Sequence, residues 1–280
     1  MRVTDPVHLR SWRARLALQY ERRLGRTVLA KRDHDGPLVV QKPLYPEGDA
    51  VCHTIVVHPP GGIAGGDELE LDVRLDAGAH ALLTTPGAGK WYRSGGPWAR
   101  MRVALSAKPG ACIEWLPQET IVFDGALADL HVEIELEGDA RYIGWDIVCL
   151  GRSGSGERYT RGECRLSTRI RRDGKPLWLE RGRLEAGGTL LTSPAGLGGR
   201  SVSGAFAATI DTSARDLLAA CRAVLPTAGE AAVTLLPGLL IARYLGDSSE
   251  SARGYLEAVW RRVRPAVAQR EAVTPRIWRT

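Results

Sequence analysis

The sequence predicts a mainly β protein: a stacked β-hairpin, helix-like two-layer β architecture with two α-helices in the C-terminal third. Three observations support this fold class. Apolar and polar residues alternate along several segments, strand–turn–strand units recur at intervals of 32 and 29 residues, and the pattern changes to helical spacing near residue 214. A chain of 280 residues is long enough to bury a substantial core without disulfides or a structural metal.

Alternation with a period of two is typical of half-buried strands, because successive side chains on a strand point to opposite faces. In residues 68–76, every second position is Leu or Val, and the positions between them are Glu, Asp or Arg. The same spacing recurs in residues 101–105 and 132–136. We therefore expect a strand in each segment, with one apolar and one polar face.

The repeating unit consists of such a strand, a glycine turn, a second strand and a longer loop. Ala79, Ala111 and Ala140 mark equivalent points in three successive units. A period of this length predicts units that stack and bury their apolar faces against their neighbours, with the long loops on one edge. A jelly roll or a generic sandwich is the structural alternative. No linker divides the sequence, so residues 1–280 are interpreted as one domain.

The last third of the chain has a different pattern. Residues 187–204 are rich in Gly and Ser and predict a loop. Residues 214–224 predict a helix that residues 211–213 (Asp-Thr-Ser) cap. A second helix is predicted from about residue 249 to residue 263, where an apolar stripe recurs at helical spacing. Pro265 is expected to end this helix.

Composition excludes several classes of protein. The net charge is +6, but 32 acidic residues are interleaved with the basic ones, so the pattern does not favour nucleic-acid binding. Five cysteines without a CxxC pair fit a reducing compartment, and the arginine-rich N-terminus contains no apolar signal core. We expect a cytoplasmic protein that binds neither nucleic acid nor a membrane.

Local motifs do not predict an enzyme. Residues 86–90 resemble a phosphate-binding loop, but Thr84 and Trp91 replace the glycine and the Ser or Thr that the motif requires. Cys52 and His58 are about 20 Å apart if the segment between them is a strand, so they do not share a metal ion. His53 points to the opposite face. No permanently bound cofactor is expected.

Three carboxylates stand in unusual surroundings. Asp67 follows a loop that is rich in Pro and Gly, Asp146 lies among apolar residues of a predicted strand, and Glu180 follows an apolar segment. A buried carboxylate must be paired, hydrogen-bonded or in contact with water, because an unpaired buried charge is very costly. The most ordinary explanation for Glu180 is an ion pair within the chain.

An ordered set of short motifs resembles the UreD (UreH) family of urease accessory proteins. The matching blocks occur in the family's order, from residue 36 to about residue 183 and again at the C-terminal tail. They are Tyr45-Pro-Glu47, Cys52-His53, residues 58–67, residues 85–94, residues 115–119, Trp145-Asp146, Gly151-Arg152 and residues 275–278. The sequence departs from the family pattern mainly in residues 184–213 and at Trp91.

This resemblance implies a non-catalytic scaffold and metallochaperone in the maturation of urease, an enzyme whose active site holds two nickel ions. Its expected partners are UreF, the GTPase UreG and the urease apoprotein. The resemblance also implies an internal, water-filled passage for nickel(II) in transit, with Asp67, Asp146 and Glu180 as transient nickel contacts. The family's motif loops correspond to His58, Pro59, Pro60, Gly61, Gly62, Gly65, Gly66, Lys90, Tyr92 and Arg93.

Physical reasoning is consistent with such a passage. A conducted ion must be bound well enough to enter and weakly enough to leave. Isolated carboxylates with retained water suit this better than a closed Cys/His cage, which would trap the metal. The alternative functions are a carbohydrate-active β-helix enzyme with paired carboxylates and a nucleic-acid binder.

Overall fold

Strands dominate the computed structural model, which describes residues 11–210 and 214–279. The strands are β1 (Arg13–Arg23), β2 (Arg26–Asp35), β3 (Val39–Val40), β4 (Cys52–Val57), β5 (Glu68–Leu75), β6 (His80–Thr84), β7 (Gly89–Trp91), β8 (Ala99–Ala107), β9 (Cys112–Trp115), β10 (Thr120–Val122), β11 (Leu127–Leu136), β12 (Arg141–Leu150), β13 (Glu163–Arg172), β14 (Lys175–Glu185), β15 (Val202–Thr209), β16 (Glu230–Leu236) and β17 (Leu239–Gly246). The helices are α1 (Thr189–Thr192), α2 (Arg215–Arg222) and α3 (Ser249–Ala268). The mainly β fold class is confirmed.

Two sheets form the layers. The first has seven strands in the order β14-β13-β11-β8-β5-β1-β2, and its middle strands are parallel. The second has ten strands, eight of them in the order β16-β17-β15-β12-β9-β6-β4-β3. Of the other two, β10 pairs with β12, and β7 pairs with β10. Because the sheets face each other, the apolar side of each strand is buried between them.

Each repeating unit contributes one strand to each sheet. The unit is therefore an arch rather than a hydrogen-bonded hairpin, since its strands pair with the equivalent strands of the next unit. Ala79, Ala111 and Ala140 are fully buried. The amide of Cys112 donates to the carbonyl of Ala79 at 2.9 Å, and that of Arg141 donates to Ala111 at 2.8 Å. The predicted repeat is thus confirmed.

Two apolar cores follow from this arrangement. One lies between the sheets and contains residues such as Leu71 and Leu105. The other lies between the second sheet and α3, where Trp145, Phe206 and Trp260 pack together. Among the described residues, no helix is long and apolar enough to cross a membrane.

In the C-terminal third, the structure differs from two of the predictions. Helix α3 continues through Pro265 and ends at Gln269, whose φ is 56°. Pro265 removes one backbone hydrogen bond, but the burial of Val263 and Val267 on the opposite side keeps the last turn in place. The predicted loop at 187–204 contains α1 and the start of β15. The predicted cap at 211–213 lies outside the described residues.

Candidate functional site

The loops that carry the family motifs meet at one edge of the second sheet. They follow β4, β6 and β9, which are adjacent and parallel, so the carboxyl ends of these strands lie side by side. Backbone hydrogen bonds join the loops: the amide of Gly89 donates to Glu119 at 2.8 Å, and that of Ile63 donates to Lys90 at 2.7 Å. The expected loop edge is therefore present.

Beneath these loops lies a cavity of about 370 Å³ between the two sheets. Its walls are mostly apolar, with Leu69 and Val103 from the first sheet and Trp115 from the second. Motif residues of the loops form its rim, and Asp146 is part of its wall. The cavity therefore connects the loop edge with one of the three predicted carboxylates.

Close packing explains two motif glycines at this edge. A Cβ atom at Gly62 would lie 2.2 Å from the ring of Tyr92, and one at Gly65 would lie 2.3 Å from Oγ of Ser94. Tyr92 in turn packs edge-to-face on Phe123, with ring centroids 5.1 Å apart. These glycines allow the loop that precedes Asp67 to contact the next repeat.

The other motif residues have different positions. Pro59, Pro60 and Gly61 are exposed, and the amide of Gly61 donates to the carbonyl of His58 at 2.9 Å, which closes a turn. Gly66 has a φ of 96°, a conformation that favours glycine. Lys90 is exposed at the rim of the cavity, and Arg93 lies 3.8 Å from the carboxylate of Asp124.

His58 lines the cavity with a half-buried side chain. Its Nε2 atom is buried without a hydrogen-bond partner. Burial lowers the pKa of this imidazole, and the charge of Asp67 opposes the shift. His58 is therefore neutral near pH 7.

Asp67 is buried but does not line the cavity. One of its carboxylate oxygens accepts the amide of Trp12 at 2.7 Å, and the other accepts the amide of Ala64 at 2.8 Å. Both oxygens are therefore occupied by backbone donors. These two hydrogen bonds hold the loop before Asp67 against Trp12, which directly precedes β1.

Asp146 faces the space between the sheets from β12. Among the described residues, no side chain forms a hydrogen bond or an ion pair with its carboxylate. Burial, followed by the charge of Glu180, raises the pKa of Asp146 to about 7, and Arg243 opposes the shift. The residue nevertheless keeps part of its surface accessible to water, because it lines the main cavity and a smaller one of about 40 Å³.

Glu180 faces the same small cavity from β14, in the opposite sheet. One oxygen accepts a hydrogen bond from Arg243 at 2.6 Å, and the other accepts the indole N–H of Trp178 at 3.4 Å. The expected ion pair is therefore present, and it joins the two sheets. The structure brings Glu180 and Asp146 together and leaves Asp67 apart.

A second group of charged residues, which the sequence did not reveal as a set, lies under α3. We call it the buried network: Glu47, His53, His80, Glu114 and Arg264. Arg264 is fully buried and contacts Glu114 at 3.0 Å and Glu47 at 2.7 Å. His80 lies 2.7 Å from Glu114, and His53 lies 2.6 Å from Glu47.

In the buried network, each group stabilises the charged form of its neighbours. Burial alone would raise the pKa of Glu114, but the hydrogen bond from His80 and the charge of Arg264 lower it to about 2. Burial would lower the pKa of His80, but Cys112 and Glu114 raise it to about 9. The indole N–H of Trp260 also donates to Glu114 at 2.8 Å. This network fixes α3 to the stacked repeats.

Two sequence signals pointed to this network. Glu114 lies within the apolar segment 112–115, and Arg264 is four residues after Trp260 on the apolar stripe of α3. A charged residue at a buried position requires partners, although the sequence does not identify them. Within the described part of the chain, no group of three or more His, Cys, Asp or Glu side chains is arranged to hold a metal ion.

Comparisons with known proteins agree with the motif resemblance. Residues 13–279 match the model of the UreD urease accessory protein family. The chain is 58% identical over 269 residues to urease accessory protein UreD of Azoarcus sp. (strain BH72), covering 96% of this chain and 94% of the relative. It is 51% identical over 282 residues to UreD of Dechloromonas aromatica (strain RCB), covering 99% and 98% of the two chains.

Proposed function

We propose a function for this chain from one premise: it belongs to the UreD urease accessory protein family. A urease accessory protein interacts with the urease machinery. We propose more specifically that the chain is a cytoplasmic, non-catalytic scaffold that docks UreF and the GTPase UreG on the urease apoprotein. Nickel(II) passes through it in transit and is not retained as a cofactor.

The observation that carries this proposal is the state of Asp146. Asp146 lines two cavities between the sheets, is partly accessible to water, and has no ion-pair partner among the described residues. A pKa of about 7 means that a nearby cation would favour the charged form. Asp146 is therefore available to a passing cation in a way that Asp67 is not.

The geometry also supports release. Asp146 and Glu180 belong to opposite sheets and meet in a cavity of about 40 Å³, which has room for one or a few water molecules. Nickel(II) that keeps part of its water shell would contact these oxygens singly. Weak, successive contacts allow an ion to leave.

The surface around the cavity rim is the proposed docking region. Tyr92 is 37% exposed, and Lys90 and Arg93 are exposed beside it. Tyr and Arg side chains are enriched at protein interfaces. Docking at this rim would place a partner directly above the main cavity.

The carbohydrate-enzyme alternative has less support. Paired carboxylates of a glycosidase flank a sugar ring in a cleft. Here the space shared by Asp146 and Glu180 is about 40 Å³, which is too small for a sugar ring. Trp178, the aromatic residue beside Glu180, donates its indole N–H to that carboxylate.

The test is the nickel content of urease that is co-expressed with variants of this chain. Replacement of both Asp146 and Glu180 by Ala should lower nickel per urease active site, because the passage loses its acids. Co-purification with UreF, UreG and urease should be unchanged. Glu70→Ala is the control, since Glu70 is exposed on the outer face of the first sheet. Full nickel loading with the double variant would contradict the nickel passage.

A further inference from the structure

Arg243 is the cationic partner of Glu180, one of the two acids that line the small cavity. Its guanidinium donates to Oε1 of Glu180 at 2.6 Å and lies 5.8 Å from the ring centre of Trp178. Both side chains of the ion pair are only partly buried, with 41% of Arg243 and 33% of Glu180 exposed. The pair is therefore accessible to water.

Strand register places Arg243 and Asp146 on the same face of the second sheet. Asp146 of β12 lies opposite Ala205 of β15, and Ala205 lies opposite Arg243 of β17. Two strand spacings, about 10 Å, therefore separate the two backbone positions. Ala205, whose side chain is a single methyl group, lies between them and lines the small cavity.

Because of this arrangement, Arg243 bonds Glu180 from the sheet face that also carries Asp146, beside the small cavity where a cation would contact both acids. Glu180 therefore interacts with Arg243 when no other cation is present.

We infer that Arg243 is a positioning residue for nickel release: it competes with nickel(II) for Glu180 and returns to that carboxylate as the ion leaves. This inference rests on the proposed nickel passage. The exchange is an ion-pair replacement without a covalent step. Nickel(II) enters with part of its water shell, the guanidinium moves off Glu180 into water, and the reverse exchange frees the ion.

Two physical features favour such an exchange. A partly exposed ion pair is weak, because water and salt screen it. The arginine side chain is long and flexible, and Trp178 offers a ring face on which the displaced guanidinium would remain close by. Arg243 thus keeps the affinity of the acids for nickel low without leaving Glu180 unpaired.

The experiment measures nickel(II) affinity and release with the full-length chain. Arg243→Gln should increase nickel(II) affinity about tenfold, since one neighbouring charge shifts a carboxylate's proton affinity by about that factor or more. Nickel release to a chelator should slow by a similar factor, and nickel per urease active site should fall. Equilibrium dialysis and stopped-flow mixing supply the first two values. Unchanged affinity and release in Arg243→Gln would overturn the inference.

Two further variants control for structure and charge. Arg181→Gln removes an exposed arginine from the position next to Glu180 and should leave affinity and release unchanged. Arg243→Lys keeps the positive charge and should stay close to the wild type. A tenfold change in Arg243→Lys would show that charge is not the operative property, and this arm remains informative if Arg243→Gln fails to fold.

The acid variants separate the inference from the function on which it rests. If Asp146→Asn combined with Glu180→Gln leaves nickel binding and delivery unchanged, the nickel passage itself is wrong. If the acid variants lower delivery while Arg243→Gln behaves as the wild type, the passage stands and only the role of Arg243 fails.

Discussion

Two regions of this molecule hold charged side chains inside the fold, and they differ in how those charges are partnered. In the buried network, Arg264 and Glu114 are fully buried and bonded to each other, and His80 contacts the same carboxylate. In the space between the sheets, Glu180 has one partly exposed arginine partner and Asp146 has none among the described residues. Both regions lie beside apolar cores of the same protein.

The difference shows how one fold uses charge for two purposes. A buried charge without water is stable only when its partners fill every bonding position, and such a group resists exchange. A carboxylate that remains in contact with water accepts and releases a cation. Water access and partner number therefore distinguish a structural network from a candidate passage.

The largest expected effect comes from breaking the buried network. Arg264→Met should lower the free energy of unfolding by about 3–5 kcal/mol, because Glu114 and Glu47 lose their main cationic partner without access to water. Urea unfolding measures this change. Arg261→Met, at an exposed position of the same helix, should cost less than about 0.5 kcal/mol. Equal effects of both substitutions would show that the network does not fix α3.

His80 gives the network a pH dependence. Its pKa is raised to about 9, so its stabilisation is complete below the unfolded value of about 6.5 and is lost as pH rises through 9. The free energy of unfolding should fall by on the order of 3 kcal/mol over that window. His80→Gln should remove this slope in urea unfolding between pH 6.5 and 9.5. If the slope persists in the variant, groups other than His80 cause the pH dependence.

Substitution of Asp67 tests whether an acid that is hydrogen-bonded to backbone amides belongs to the nickel passage. Asp67→Ala leaves the amides of Trp12 and Ala64 unpaired and should cost about 1–3 kcal/mol, measured by urea unfolding. Nickel loading of co-expressed urease should stay normal once expression is matched. Reduced nickel with unchanged stability would instead place Asp67 among the nickel contacts, as its sequence motif predicts.

Substitution of Asp146 should have the smallest effect on the free energy of unfolding, and this effect should be an increase. Its raised pKa means that the folded state holds a proton more tightly, so its contribution to stability decreases as pH rises from about 4 through 7. Asp146→Asn should raise the free energy of unfolding at pH 8 by about 1 kcal/mol, a modest value because water reaches the site. The gain should shrink as pH falls to 5. A loss of stability at pH 8 would reveal a partner that stabilises the charged form.

Much of the fold was predictable because period-two alternation reports directly on strands. The repeat marked by Ala79, Ala111 and Ala140 identified the stacking, since each alanine sits at a fully buried position. Pro265 was misleading because a lost hydrogen bond costs less than the packing that holds the last turn of α3. Local propensity does not include that packing.

For the candidate site, the sequence identified single residues but not how they are grouped in space. Asp146 and Glu180 were identified as acids in apolar surroundings, but the sequence does not show that they meet across two sheets. Arg243 was not identified, because its role depends on register across β12, β15 and β17. For Asp67 the sequence motif was clear, but the motif did not show that backbone amides of Trp12 and Ala64 occupy the carboxylate.

The most direct test of the difference between the two regions is anomalous X-ray scattering at the nickel absorption edge, from crystals soaked in nickel(II). We expect a nickel peak between the sheets, beside Asp146 and Glu180, and no peak at Glu114 and Arg264. Nickel bound only elsewhere on the chain, with the space between the sheets empty, would contradict it.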